Sequence, residues 1–230
     1  MALPVVKTPK YELTLPGSGK KITYRPFLVK EEKILMMASE SEDPKAMEMA
    51  VGQIVDACVD GGLNIKDLPT FDVEYLFVNL RGKSVGESVD LKVSCEKCNH
   101  EIVKRIDVTD VKVVEDKKAE LKIPIADGIG IVMKYPSFGE VTQADAEKDP
   151  LSVINTCIDY IYDEQQVYKA DECSKEELNQ FVESLNHSQL MKLQDFFVTM
   201  PRLEKDISWK CEKCEHKNKH KVSGMASFFA

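Results

Sequence analysis

Cysteine is the residue type in this sequence best placed to do chemistry. Four of the seven cysteines come as two pairs of identical form, Cys95-Glu96-Lys97-Cys98 and Cys211-Glu212-Lys213-Cys214. Two thiolates three residues apart on a tight turn between strands can grip one cation. A structural zinc ion takes four such ligands in a tetrahedron, at about 2.3 Å each. One pair is therefore half a site. The separation from Cys98 to Cys211 is far longer than the usual ribbon spacing, so the fold must carry two distant turns to one place. Thiol-disulfide exchange is the competing chemistry. It would put CxxC at a helix N-terminus, where the dipole lowers the thiol pKa, whereas strand-like runs flank both pairs here. The spacing thus favours Zn2+ held by Cys95, Cys98, Cys211 and Cys214, with unmetallated or disulfide-bonded pairs and redox catalysis as the remaining readings.

The other candidates are blander. His100 and His216 correspond, each two residues beyond its cysteine pair. They suit either hydrogen bonds behind the metal or solvent-facing strand positions. Cys58 and Cys157 lie on apolar helical patterns and read as small buried hydrophobes, while Cys173 sits in the polar stretch KADECSKEE and reads as an exposed thiol. Met36, Met37, Met47 and Met49 suit core filling better than an adaptable partner surface. Trp209, just ahead of the second pair, is expected to cover the metal site or to pack against the opposite half of the chain.

The elements that must position the cysteines occur twice. YELTLP at 11–16 recurs as AELKIP at 119–124, and each is followed by a glycine-containing turn and a second alternating run, KITYRPF or GIVMKYPSF. Such alternation bounded by Pro and Gly predicts a β-hairpin. Asp43-Pro44 and Asp149-Pro150 each place a capping Asp before a proline suited to a first helical turn. The first helix carries Val51, Ile54, Val55, Cys58 and Val59 on one face, and the second carries Leu151, Ile154, Cys157, Ile158 and Ile161. Gly61-Gly62 ends the first. A further helix follows in each half, with Phe71, Tyr75, Leu76 and Val78 in one and Leu190, Leu193, Phe197 and Met200 in the other. Before the latter, SKEE at 174–177 has the capping-box form and opens an additional helix to about Leu185. Each half closes on strand, cysteine pair and strand. The reading is an α+β chain of two homologous halves, 1–110 and 111–230, each made of a β-hairpin, helices and a zinc-knuckle hairpin, packed pseudo-symmetrically around a shared zinc-ribbon-like site.

Charge and composition narrow the function. Residues 141–206 hold 14 acidic and 6 basic side chains, which accounts for the whole net charge of −8 and disfavours general binding to phosphate backbones. The segment 205–221 is the exception, with six Lys against three acids. It motivates the alternative reading, a zinc-ribbon nucleic-acid or transcription-associated protein. The longest stretches without a charged residue are nine long, at 150–158 and 222–230. A bilayer-spanning helix needs about 18 to 20, so no membrane span is expected. No secretory signal is legible in MALPVVKTPK, which points to a reducing compartment. Phosphate loops, GxSxG elbows and HExxH motifs are all missing, and Glu31-Glu32 and Glu176-Glu177 stand at helix starts, so a non-enzymatic protein is expected. The closing VSGMASFFA places Met225, Phe228 and Phe229 in an apolar tail suited to docking on its own domain or on a partner.

Several stretches, in order, resemble one known family. YRPFLVKEEKILMMASES, LPTFDVEYLFVNLRGKSVGE, a cysteine pair before a strand, FFVTMPRLEKDISWKCEKC and the terminal FF resemble the baseplate hub protein family of T-even-like contractile-tailed bacteriophages. The resemblance runs from about Tyr11 to Phe229. It implies a virion-assembly role, as a component or assembly factor of the central hub of the tail baseplate, made in the host cytoplasm. It also implies other hub or tail proteins as partners, and no small-molecule substrate. No catalytic residue is carried over, and zinc rests on the cysteine spacing alone.

Overall fold

The alternating residues YELT and KITY pair as an antiparallel hairpin of β1 (Tyr11–Thr14) and β2 (Lys21–Tyr24). Its turn is gripped by a carboxylate. Gly17 N donates to Asp72 Oδ1 at 2.7 Å and Ser18 N to Oδ2 at 2.9 Å, and Asp72 is fully buried near the start of α3 (Thr70–Ser84). A side chain at Gly17 would collide with the Phe71 ring, so glycine is required where the turn closes on that helix.

After the hairpin come α1 (Val29–Glu40) and α2 (Pro44–Cys58), which pack on each other. Asp43 caps α2 through Lys45 N, as its place before Pro44 predicts. Gly61 and Gly62 take φ of 93° and 66° beyond the helix end, conformations open to glycine. Here a second buried carboxylate acts as a latch. Glu31 accepts from Leu28 N at 2.7 Å, satisfying the first turn of α1, and from Arg25 Nη2 at 3.0 Å. Arg25 in turn donates its backbone N–H to Cys58 O at the end of α2. One network thereby fixes hairpin, α1 and α2.

The computed structural model describes residues 6–41, 43–115, 120–143 and 151–224. It divides the chain into two compact units, Met1–Val114 with Arg202–Ala230, and Glu115–Pro201. Besides the elements above, the first unit contains β3 (Ser88–Ser94) paired with β4 (Glu101–Asp107), and β5 (Lys112–Val114). From the far end of the chain it adds β10 (Arg202–Lys210) and β11 (Lys217–Ser223). These three form a sheet in the order β11-β10-β5. The core residues Val51, Ile54, Val55, Cys58, Leu76, Phe77, Val78 and Leu80 are all buried.

The second unit is a four-stranded antiparallel sheet, β6 (Lys122–Ala126), β7 (Ile129–Met133), β8 (Ile158–Tyr162) and β9 (Val167–Lys169). Its helices are α4 (Phe138–Gln143), α5 (Leu151–Thr156), α6 (Lys175–Glu183) and α7 (His187–Thr199). Ile131, Met133, Cys157, Ile158, Leu193 and Phe196 share its core. Ser174 caps α6 reciprocally with Glu177, as SKEE predicts. The latch of the first unit recurs here. Glu140 accepts from Ser137 N at 2.9 Å and from Lys134 Nζ at 2.6 Å, and Lys134 N donates to Cys157 O at 2.7 Å.

Three expectations change. The helix expected to carry Ile158 and Ile161 stops at Thr156, and both residues lie on β8. IDYIY is β-branched and aromatic and finds β7 as a partner, so pairing overrides a helical spacing that a short apolar run fits equally well. Met36, Met37 and Met49 are 58%, 72% and 61% exposed rather than core-filling. Cys173 is half-buried rather than exposed. The Asp149-Pro150 cap falls outside the described residues.

Two predictions follow from these carboxylates, Asp72 and Glu31 buried and Glu140 half-buried. Asp72→Ala removes two hydrogen bonds from turn N–H groups to a buried carboxylate and should cost about 1–3 kcal/mol, read from denaturant midpoints. Burial pushes the Glu31 and Glu140 carboxyls up, but hydrogen bonds from Arg25 and Leu28, and from Lys134 and Ser137, outweigh it and hold both below the usual carboxylate range. Both therefore take up protons more readily unfolded than folded. Their stabilisation is present above the carboxylate range and is lost as pH falls through it. Thermal melts from about pH 6 to about pH 3 should show a smaller fall for Glu31→Gln/Glu140→Gln than for the parent.

Candidate metal centre

Each cysteine pair sits on a six-residue turn that closes a strand pair. Ser94 pairs with Glu101 at the end of the β3–β4 ladder, and Lys210 with Lys217 at the end of β10–β11. The turns between them match bond for bond. Cys95 N donates to His100 O at 2.9 Å and Cys211 N to His216 O at 2.8 Å; Asn99 N donates to Cys95 O and Glu215 N to Cys211 O, both at 2.9 Å. Asn99 and Glu215, with φ of 53° and 58°, are the two non-glycine residues in the left-handed region among those described. Asn accepts that conformation readily and Glu does not. Glu215 is thus held there by the closed turn around it.

The two turns meet. Cys95 Sγ lies 3.6 Å from Cys214 Sγ, and Cys98 Sγ lies 3.7 Å from Cys211 Sγ. All four sulfurs fall within 4.8 Å of one another. A tetrahedron with metal–sulfur bonds of about 2.3 Å has edges of about 3.8 Å, so these separations fit one four-coordinate ion. They are far too long for a disulfide, which needs about 2.05 Å, and all seven cysteines are free. The four sulfurs can therefore hold one metal ion. Soft sulfur donors in this shape suit zinc or iron rather than magnesium or calcium.

The electrostatics explain why a cation belongs there. Burial opposes ionisation of Cys95, yet donors from Lys97 N, Cys98 N and the Asn218 side chain bring its thiol down to about 6. At Cys214 the His216 N–H favours the thiolate, but burial and the sulfurs of Cys98, Cys95 and Cys211 push the thiol up to about 12. Four sulfurs this close cannot all carry charge unless a cation neutralises them. Metal binding would accordingly release protons.

One contributor was not foreseen. Asn218 on β11 is buried, accepts from Glu96 N at 3.0 Å and directs its amide N–H at Cys95 Sγ, 3.5 Å away. It also donates to His216 O at 3.2 Å, so one side chain ties the second turn to the first. The matching position on β4 is Ile102, and a single polar residue amid NKHK gives no sequence signal. Trp209 is buried on β10 opposite Asn218 in register, its indole N–H without a hydrogen-bond partner among the described residues. His100 and His216 are half-buried residues and are not among the clustered ligands. Cys58 and Cys157 are buried, and burial pushes each thiol up to about 11, as expected of packed hydrophobes rather than nucleophiles. Met225, Phe228 and Phe229 lie outside the described residues.

No helix among the described residues is long and apolar enough to cross a membrane. Comparison with curated proteins finds no match, and comparison with solved structures finds none either. A family model described as T4 bacteriophage base plate protein matches residues 8–230. With nearly the whole length matched, the chain belongs to the T4 bacteriophage base plate protein family.

Proposed function

We propose that the chain is a non-enzymatic structural or assembly protein of the tail baseplate hub, acting as a protein-protein interaction platform stapled by one Zn2+. The observation that carries the reading is the four-sulfur cluster in a chain of the base plate family. Cys95, Cys98, Cys211 and Cys214 bind the ion and supply no open position for substrate, the arrangement of a structural rather than a catalytic zinc. The protein is made in the host cytoplasm, and other hub or tail proteins are its partners. The chain derives from a duplication of halves 1–110 and 111–230. Supporting this are the two turns matched bond for bond and the paired latches, Arg25–Glu31–Cys58 and Lys134–Glu140–Cys157, in which the carboxylate and its two donors shift equally along the chain. The apolar tail, with Met225, Phe228 and Phe229, docks on a hub partner.

The nucleic-acid reading has less behind it. Lys213, Lys217 and Lys219 are exposed, but Lys217 and Lys219 stand on β11, an edge strand of its sheet. Lysine there keeps an open edge from pairing with other chains, without any phosphate partner.

The staple is tested by metal analysis and melting. The parent should carry one zinc per chain, and Cys95→Ser/Cys98→Ser should lose it and melt about 10 °C lower, as several kcal/mol of metal-linked stability imply. A variant melting with the parent would end the staple reading. Deleting residues 227–230 should leave the melt unchanged yet deplete the protein from baseplates, compared by mass spectrometry of purified virions and infected-cell lysate. Equal incorporation with and without those residues would rule out the docking role.

A further inference from the structure

The solvent face of α1 is the opposite of what a surface helix usually shows. Glu31 and Ala38 are the buried positions of the helix. On the other side, Val29, Lys33, Met36 and Glu40 recur at i, i+4, i+7 and i+11, one continuous stripe. Met37 adjoins its middle. Val29, Met36 and Met37 are 67%, 58% and 72% exposed, and Met49 on the neighbouring α2 is 61% exposed. Isolated exposed hydrophobes need no explanation. Val29, Met36 and Met37 share the solvent side of α1, and flexible thioethers suit a contact surface.

The charges on the stripe say what covers it. Lys33 stands three residues before Met36, and Glu40 three residues after Met37. Neither has an ion-pair partner among the described residues. Two helical turns separate them, too far to pair with each other along the helix. The arrangement is self-complementary: apolar in the middle, a cation toward one end and an anion at equal distance toward the other.

We propose that this stripe is the contact between two copies of the chain, related by a twofold axis passing between Met36 and Met37. In that antiparallel crossing Met36 packs on Met37 of the second copy. Lys33 meets Glu40 of the second copy, and the twofold repeats the pair on the other side. A parallel crossing would instead set Lys33 against Lys33 of the second copy, like charge on like. A surface for nucleic acid or lipid headgroups would carry one sign of charge. The contact covers about two helical turns of each copy, less than a stable interface buries. The dimer is therefore weak, and copy number in an assembling particle raises its occupancy.

Sedimentation equilibrium of the full-length chain at low salt, from about 1 μM to about 1 mM, tests this, spanning the affinity range of weak interfaces. The parent should dimerise within that range, and Met36→Glu/Met37→Glu should stay monomeric. Lys33→Glu alone and Glu40→Lys alone each set like charges across the axis and should raise the dimer Kd about tenfold or more. Lys33→Glu/Glu40→Lys together should return it to within about threefold of the parent, a rescue that a contact without the twofold pairing would not give. All the altered positions are exposed, and thermal melts confirm that the variants fold. A parent that stays monomeric throughout, single swaps without effect, or a double swap as weak as the singles combined would each overturn the proposal.

Discussion

One contact joins the two ends of the first unit in sequence, that between the turns bearing Cys95 and Cys211. It joins positions 113 residues apart in sequence, Cys98 and Cys211. In the chain-entropy view, cross-linking a loop of that length removes about 4–5 kcal/mol of freedom from the unfolded chain, an amount comparable to the whole stability of a small domain. The same contact is unfavourable when four sulfurs and no cation share it. The cross-link and the charge problem are thus one design: proximity would make four thiolates repel, and an ion bound by them would relieve the repulsion and tie the two turns together. Asn218 closes the arrangement by satisfying a backbone N–H of the first turn and a thiolate at once.

That closure decides how the chain is cut into bodies. The sequence divides by resemblance near residue 110, whereas the compact units divide at Val114 and Arg202. The difference is the last hairpin. β10 pairs with β5, and its turn meets the turn of β3–β4, so β10 and β11 belong to the first unit although they are matched to its own hairpin in sequence. The segment Glu115–Pro201 is left to build its own sheet and core, around Ile131, Ile158, Leu193 and Phe196. Each unit also uses a carboxylate in the same way, to begin a helix, hold a cation from the preceding strand and fix that strand to the carbonyl of a buried cysteine. A buried ion pair is poor evidence of stability on its own. Glu31 earns its place by geometry, because its two oxygens bind two different elements.

What was legible in the sequence was what depends on local chemistry. Cysteine spacing, Asp43 before Pro44, Ser174 before Glu177 and Gly61-Gly62 each act within a few residues, and each reappears in the fold. What was not legible depends on partners. Ile158 and Ile161 fit a helical stripe until β7 is available to pair with them, and nothing in IDYIY announces that strand. The exposed methionines read as core because hydrophobicity says how much a residue gains by burial, not whether the fold has a place for it. Asn218 was invisible for a related reason. A buried amide is recognised by what it satisfies, here Glu96 N and Cys95 Sγ, more than 100 residues away in sequence.

The division of charge between the units gives the molecule two chemically different surfaces. Residues 115–201 carry 17 acidic and 8 basic side chains, a net of −9, which leaves the remainder of the chain close to neutral at +1. An acidic surface of that size attracts basic partners from a distance and repels other acidic ones, so it governs encounter and selection more than final affinity. The first unit is close to neutral and exposes Met36 and Met37 on α1, side chains whose attraction acts only on contact. Long-range attraction by one unit and short-range contact by the other are physically separable properties. The four clustered cysteines all belong to the first unit, so an ion bound there would stiffen that unit and leave the acidic unit to be held by its own sheet and core.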